Sequence, residues 1–189
     1  IDLPPFTLIA ATTRANLLSG PLRSRFGATF KLDYYEISDI EAILKRSAEI
    51  LSIKIESAAI KILAQASRFT PRVANRLLKR IRDYVQVHNQ ALVDESAVRK
   101  TLELLEIDKL GLEPYDRRLL ETIIAKFKGG PVGLSTLAAA LNDEKGNIEE
   151  IHEPFLMTIG LLARTPAGRL ATESAYAHLG LDPPGSKLL

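Results

Sequence analysis

Residues Phe6-Thr7-Leu8-Ile9-Ala10-Ala11 form a nearly continuous apolar run with no alternation of apolar and polar positions. Such a run fits a strand buried on both faces, the setting of a parallel sheet covered by helices. It predicts a strand ending at Thr12-Thr13-Arg14, then a loop holding Leu22-Arg23-Ser24-Arg25-Phe26-Gly27, then a second short strand over Thr29–Leu32. Two strands cannot complete such a sheet. Only Ile1-Asp2-Leu3-Pro4-Pro5 comes before the run, with no starting Met, so the opening reads as a chain cut in mid-domain.

From Ile37 the apolar period becomes helical. Ser38 or Asp39 is expected to cap a helix whose stripe is Ile40, Ile43, Leu44, Ala48 and Leu51. A second helix is read over Ser57–Ser67. Thr70-Pro71 offers an N-cap followed by proline at the first helical position, opening a helix through Val73, Leu77, Leu78, Ile81 and Val85. A fourth runs from Asp94 to about Glu106. After a linker at Asp108-Lys109-Leu110-Gly111, helices are expected over Tyr115–Lys128, Leu134–Leu141 and Asn147–Ile159. A hairpin follows, Leu161–Arg164 and Arg169–Thr172 around the turn Thr165–Gly168. Three helices and a two-stranded hairpin make a winged helix, a relative of helix-turn-helix. The tail after Gly180, with Pro183, Pro184 and Gly185, is expected to fray. The predicted fold is mainly α with small β, divided as 1–36, the end of an α/β core; 37–108, a helical domain; and 109–189, a winged helix.

Composition narrows the chemistry. The net charge of +2 is small, and the three segments carry four basic and three acidic, twelve and ten, and nine and ten side chains in turn. Contact with a polyanion must therefore come from a local cluster. Without cysteine there is no disulfide and no thiolate metal site. His88, His152 and His178 are far apart and lack ligand spacing, so solvated or singly packed imidazoles and no bound metal are expected. No apolar run reaches membrane-spanning length and no signal peptide opens the chain, which implies a cytoplasmic protein without a membrane partner.

Three clusters can carry chemistry. Thr12-Thr13-Arg14 falls beyond the carboxyl end of the first expected strand, where open α/β sheets bind ligands. Arg23 and Arg25 lie on an exposed loop and suit an arginine finger, a fixed cation set against charge developing on a transferring phosphoryl group. Thr70-Pro71-Arg72 opens a helix, where free N–H groups favour phosphate, although Arg72 opposes the helix dipole. Arg68, Arg72, Arg76 and Arg80 also share a helical spacing that ordinarily means a solvated or subunit-facing surface. Taken singly, each cluster is ordinary loop or surface chemistry.

Their order is more specific. With Ala11-Thr12-Thr13-Arg14, Pro21-Leu22-Arg23-Ser24-Arg25-Phe26-Gly27, Thr70-Pro71-Arg72, Gly129-Gly130-Pro131-Val132-Gly133 and Arg164-Thr165-Pro166, nearly the whole chain resembles the RuvB family. These are ring-forming AAA+ motors that drive branch migration of Holliday junctions in bacteria. The resemblance implies the end of an AAA+ core, a helical AAA+ lid and a winged-helix domain that binds DNA. Thr13 or Thr12 matches the first nucleotide sensor, and Arg25 the arginine acting on a neighbouring subunit's ATP. Tyr35 matches a nucleotide-contacting tyrosine, Arg72 the second sensor, and Arg164 and Arg169 DNA-contacting positions. ATP with Mg²⁺ is the implied cofactor. The implied partners are Holliday-junction or other double-stranded DNA, RuvA, and further copies in a ring, a hexamer by analogy.

Two positions depart from the family. Phe69 stands where glycine is usual, so the backbone leading into the helix is expected to differ if that glycine needed φ > 0. Ala167 stands where arginine is common in the hairpin. The sequence also holds no G-x-x-x-x-G-K-[S/T] and no acidic strand end for Mg²⁺ before the sensor. The chain alone is therefore expected neither to hydrolyse ATP nor to dock RuvA in the family's usual way.

The third winged-helix segment carries Glu149, Glu150 and Glu153, which would repel phosphates, so base reading by that face is not expected. Arg164 and Arg169 would instead form one small basic patch for contact without sequence preference. Two rival readings are an origin-recognition or loader AAA+ protein with a winged helix, and a non-enzymatic winged-helix regulator. The regulator has no use for sensor and finger arginines and would want a basic recognition helix.

Overall fold

A computed structural model describes residues 4–183. It divides into two compact units, Ile1–Asp33 and Tyr34–Leu189.

In the first unit the chain turns through a 3₁₀ segment at Ala15–Leu17 and a short helix, α1 (Gly20–Arg23). Neither expected strand forms: residues 6–11 and 29–32 lie outside any ladder. Phe6, Ile9, Phe30 and Leu32 are exposed at 68%, 89%, 83% and 88%. A doubly buried strand needs neighbours on both edges to take its backbone N–H and C=O groups, and this unit supplies none.

The second unit is built on two hydrophobic cores. The first is made by α2 (Ile37–Ile50), α3 (Ser57–Gln65), α4 (Pro71–Val87) and α5 (Glu95–Leu104). Ile40 and Leu44 from α2 meet Leu63 from α3, Leu77, Leu78 and Ile81 from α4, and Val98 from α5, all buried. Each such side chain is worth about 1.5–3 kcal/mol of burial, enough to order helices that would be marginal alone. The first of these helices is capped differently from expectation. Neither Ser38 nor Asp39 is the N-cap; Glu36 is, and its carboxylate and that of Asp39 each accept the other's backbone N–H. At α5, Asp94 is the cap and accepts from the Ala97 N–H at 2.7 Å.

The second core belongs to the winged helix. It begins with α6 (Pro114–Phe127) and α7 (Leu134–Leu141), whose stripes bury Leu119, Leu120, Ile123, Leu137 and Leu141. The third helical segment is not continuous. It runs as α8 (Lys145–Asn147), a π-helical turn (Ile148–His152) and α9 (Glu153–Thr158). Pro154 is the cause: it has no N–H to give to an earlier carbonyl, and the Glu153 N–H reaches back five residues to Ile148 O instead. The hairpin of β1 (Leu162–Thr165) and β2 (Gly168–Ala171) pairs Leu162 with Ala171 and Arg164 with Arg169. On the other edge of β2, Val132 adds an isolated antiparallel bridge by exchanging both backbone hydrogen bonds with Arg169, at 2.8 and 2.9 Å. Gly168, at φ +139°, lets that bridge close, because a Cβ there would lie 2.4 Å from Val132 O. A helix absent from the sequence reading, α10 (Glu173–Leu179), is capped by Thr172 and packs Tyr176 into the core. Of the tail expected to fray, Pro184 and all that follows lie outside the described residues.

The two cores touch. Gly111 (φ +83°) passes so close to the end of α3 that a Cβ would sit 2.7 Å from Ala66 O. Arg76 of α4 bonds Glu113 at 2.7 Å, and Arg117 of α6 donates to Glu106 O at 2.8 Å. Among the described residues no helix is long and apolar enough to cross a membrane.

Candidate functional site

In the first unit, Thr13, Arg23 and Arg25 are all exposed. Arg23 closes α1 and Arg25 follows one residue past its cap, Ser24. The hydroxyl oxygen of Thr12 accepts from the Arg14 N–H at 3.0 Å, a local turn contact that leaves its O–H donor unassigned.

In the second unit, Arg72 lies exposed in the first turn of α4. Thr70 holds the N-cap position but its side chain does not cap; the hydroxyl turns back to donate to Ser67 O at 3.4 Å. No side chain from the cap therefore occupies the first-turn N–H groups, which stay available to an anion. Tyr35 is tied to the same corner, its N–H donating to Phe69 O at 3.2 Å. Among the positions nominated from sequence in this unit, the structure thus brings Tyr35 to the segment that leads into Arg72.

That segment corrects two expectations. Phe69 adopts φ +54° and its neighbour Arg68 φ +52°. Phe69 therefore takes the left-handed conformation that glycine would suit, so phenylalanine has not removed it. The ring is held edge-on to Tyr34 at 6.3 Å and against Phe155 at 6.4 Å. Arg68 precedes α4 and belongs to no solvated stripe. Its guanidinium lies 4.3 Å over the Phe155 ring and 3.3 Å from Asp116 of α6.

Asp116 is wholly buried and fully used. One oxygen accepts the Glu113 N–H at 2.9 Å, completing a second reciprocal cap like that at Glu36, and also faces Arg68. The other lies 2.7 Å from His152 Nδ1. His152 is buried and its ring lies tilted against Tyr115, centroids 4.3 Å apart, so of the two expectations it meets the packed one and not the solvated one. Tyr115 in turn donates to Asp143, which also accepts from Asn147 at 2.7 Å. Burial first, then the bond to Asp143, push the Tyr115 hydroxyl above its ordinary range. The Tyr115 and Asn147 bonds hold the Asp143 carboxyl below its own. His178 pairs with Asp108 at 2.7 Å. Among the described residues no cluster of His, Asp and Glu is arranged to hold a metal ion.

The hairpin is not the open basic patch expected from sequence. Arg169 is buried and bonds both oxygens of the equally buried Glu153, at 2.6 and 3.1 Å. Directly across the ladder, Arg164 reaches Glu149 at 3.0 Å, and Glu149 also lies 3.7 Å from Arg169. Two of the three acidic residues expected to repel phosphate, Glu149 and Glu153, are the counter-ions of the wing. This pairing was open to sequence reasoning, since two carboxylates four residues apart sit opposite a hairpin with two arginines.

The family now follows from comparison. The model of the RuvB AAA lid domain matches residues 35–108, that of the RuvB C-terminal winged helix domain residues 109–180, and that of the Holliday junction DNA helicase RuvB P-loop domain residues 1–32. The chain belongs to the RuvB family. The RuvB subunit of the Holliday junction branch migration complex from Koribacter versatilis is 54% identical over 184 residues, 97% of this chain and 51% of that protein. The Cutibacterium acnes subunit of the same name is 51% identical, over 97% and 54%. The chain thus spans about half the length of these RuvB relatives. The solved Thermotoga maritima RuvB Holliday junction branch migration motor superposes with a TM-score of 0.90 at 49% identity, covering 95% of this chain and 60% of that one. A mutant of Thermotoga maritima RuvB gives 0.91 at 49%, over 97% and 61%.

Proposed function

We propose that this chain supplies the end of the AAA+ ATPase domain, the lid and the DNA-binding winged helix of an ATP-driven motor that moves Holliday junctions. Residues 1–36, 37–108 and 109–189 are those parts in order. The observation that carries the reading is the corner at α4. An exposed Arg72 and uncapped first-turn N–H groups, suited to a nucleotide's phosphates, follow directly on a strap (Arg68–Phe69) seated in the winged helix. A nucleotide sensor and a DNA-binding domain are then one mechanical piece.

In this reading Arg72 senses the bound ATP, Tyr35 contacts the nucleotide, and Thr13 serves as the first sensor, with Thr12 holding the turn beside it. ATP brings Mg²⁺, which supplies charge neutralisation for phosphoryl transfer. Arg25 reaches the ATP of a neighbouring subunit in a ring, by family analogy a hexamer, and RuvA docks elsewhere on the full-length protein. Arg164, half exposed on the wing, contacts DNA phosphates, while Arg169, paired with the buried Glu153, fixes the hairpin.

Arg25→Ala in the full-length protein tests the motor assignment. Hydrolysis should fall by ~10³–10⁵ with ATP binding retained, since a finger stabilises charge only in the transition state. A second variant that cannot bind ATP but keeps Arg25 should restore partial turnover in mixed rings. Hydrolysis unchanged by Arg25→Ala refutes the finger; no rescue in rings shown to be mixed refutes its action across subunits.

A further inference from the structure

The wing's two arginines face two carboxylates, and the pairs are unequal. Glu153 and Arg169 are buried and doubly bonded, and so stay fixed. Glu149 and Arg164 remain 40% and 52% exposed, joined by one contact at 3.0 Å. Glu149 also leans on Arg169 at 3.7 Å, so it keeps a cationic neighbour if Arg164 leaves. With both carboxylates in place the cross-strand arginine pair is electrically neutral. An exposed ion pair of this kind contributes little and exchanges readily.

Resting on the reading that the wing contacts DNA, we propose that Glu149 is a positioning residue, an internal stand-in for a DNA phosphate. It holds Arg164, half exposed beside Arg169, and gives it up when a backbone phosphate arrives. Arg169, pinned by Glu153, then retains Glu149, so the carboxylate has somewhere to go and the hairpin keeps its shape. The exchange lowers affinity by design: each grip on a phosphate costs one internal pair. A duplex can then slide past the wing, because every phosphate offers the same bargain irrespective of sequence.

Counter-ions distinguish this from an ordinary surface charge. A phosphate taken by Arg164 releases a cation from DNA, but the freed Glu149 recruits part of one, so the wild-type salt dependence is shallower than its phosphate contacts imply. Glu149→Gln removes that uptake. Binding of a fluorescent duplex to the full chain should tighten about two- to five-fold at low salt, the range of exposed pairs, and its slope against log salt should steepen by up to about one. Glu149→Asp keeps the charge and should stay near wild type. In an Arg164→Ala background, which itself weakens binding, Glu149→Gln should lose its effect.

If Arg164→Ala leaves binding unchanged, the wing does not contact DNA and the reading beneath the proposal fails. If Arg164→Ala weakens binding while Glu149→Gln changes neither affinity nor slope, the DNA reading stands and the exchange is refuted. Tightening that persists undiminished without Arg164 marks a general surface charge and also refutes it. Weaker binding by Glu149→Gln, with the helical content of the chain unchanged by circular dichroism, does the same.

Discussion

Phe69 combines two opposed contributions, and paired substitutions separate them. Its ring is partly buried between Tyr34 and Phe155, about half the environment of a core phenylalanine. Full truncation in a core costs about 3–5 kcal/mol, so roughly 1.5–2.5 kcal/mol is expected here for Phe69→Ala. Alanine keeps a Cβ and therefore keeps the cost of φ +54°, about 1–2 kcal/mol for a residue with a side chain. Phe69→Gly loses the same ring but sheds that cost, against about 0.5–1 kcal/mol of added chain entropy in the unfolded state. Glycine should come out about 0.5–1 kcal/mol more stable than alanine, the reverse of their ordinary order.

Urea unfolding followed by tyrosine fluorescence reads the difference. With a slope of about 1–3 kcal/mol per molar, the glycine variant's midpoint should lie above alanine's by roughly 0.2–1 M, and wild type above both. Alanine equal to or better than glycine would refute left-handed strain at position 69. Wild type below glycine would mean that the ring contributes less than the strain it imposes. On the proposed function the comparison bears on α4, because strain held beside that helix is stored only where the surroundings over-determine it.

Asp116→Ala should destabilise the chain by about 3–5 kcal/mol in the same assay, because Arg68 and His152 lose their buried partner; a loss below about 1 kcal/mol would show that water replaces the carboxylate freely. The pH response has two windows. Asp143, held low, contributes stability that is present above the ordinary aspartate pKa near 3.9 and lost as pH falls through its folded value, whereas Tyr115, held high, contributes stability that is present below about 10 and lost as pH rises toward its folded value. Tyr115→Phe should flatten both limbs of the stability–pH curve; an unaltered curve would refute the pair's part in it.

Much of the helical architecture was legible because burial repeats at 3.6 residues. Ile40, Leu44 and Ala48, or Leu77, Leu78, Ile81 and Val85, name their own inward face. What escaped was local chemistry that breaks a rule. Glutamate is a weak N-cap by composition, and only the reciprocal bonds with Asp39 and Asp116 make Glu36 and Glu113 serve. Pro154 sat inside an apolar period that looked helical, and the period concealed the π turn it forces. The apolar run Phe6–Ala11 predicts a strand that does not form, because a strand exists only with a partner to pair with. For the site, exposed arginines were easy to nominate and their counter-ions were not. Arg68–Asp116 joins residues distant in sequence, and no spacing announces it, whereas Glu149 and Glu153, four residues apart before a hairpin with two arginines, could have been matched to Arg164 and Arg169.

Those counter-ions connect the nominated residues within the second unit. Arg72 stands three residues after Phe69 and four after Arg68, whose side chains lie on Phe155 and Asp116. Asp116 holds His152, the last residue of the π turn, and that turn opens with Ile148 beside Glu149. Glu149 and, just past the turn, Glu153 hold the two wing arginines. Between short stretches of backbone, the polar side-chain contacts are 3.3 Å or less, the rest are the ring contacts of Arg68 and Phe69, and most are buried. Side chains packed this closely do not deform by degrees; they move together or break a contact. On the proposed function, a rotation of α4 driven at Arg72 therefore carries the wing with it, unless it yields at the left-handed Arg68–Phe69 strap or at the π turn. At both the backbone already departs from regular helical geometry, and a coupling mechanism requires such an element with more than one arrangement.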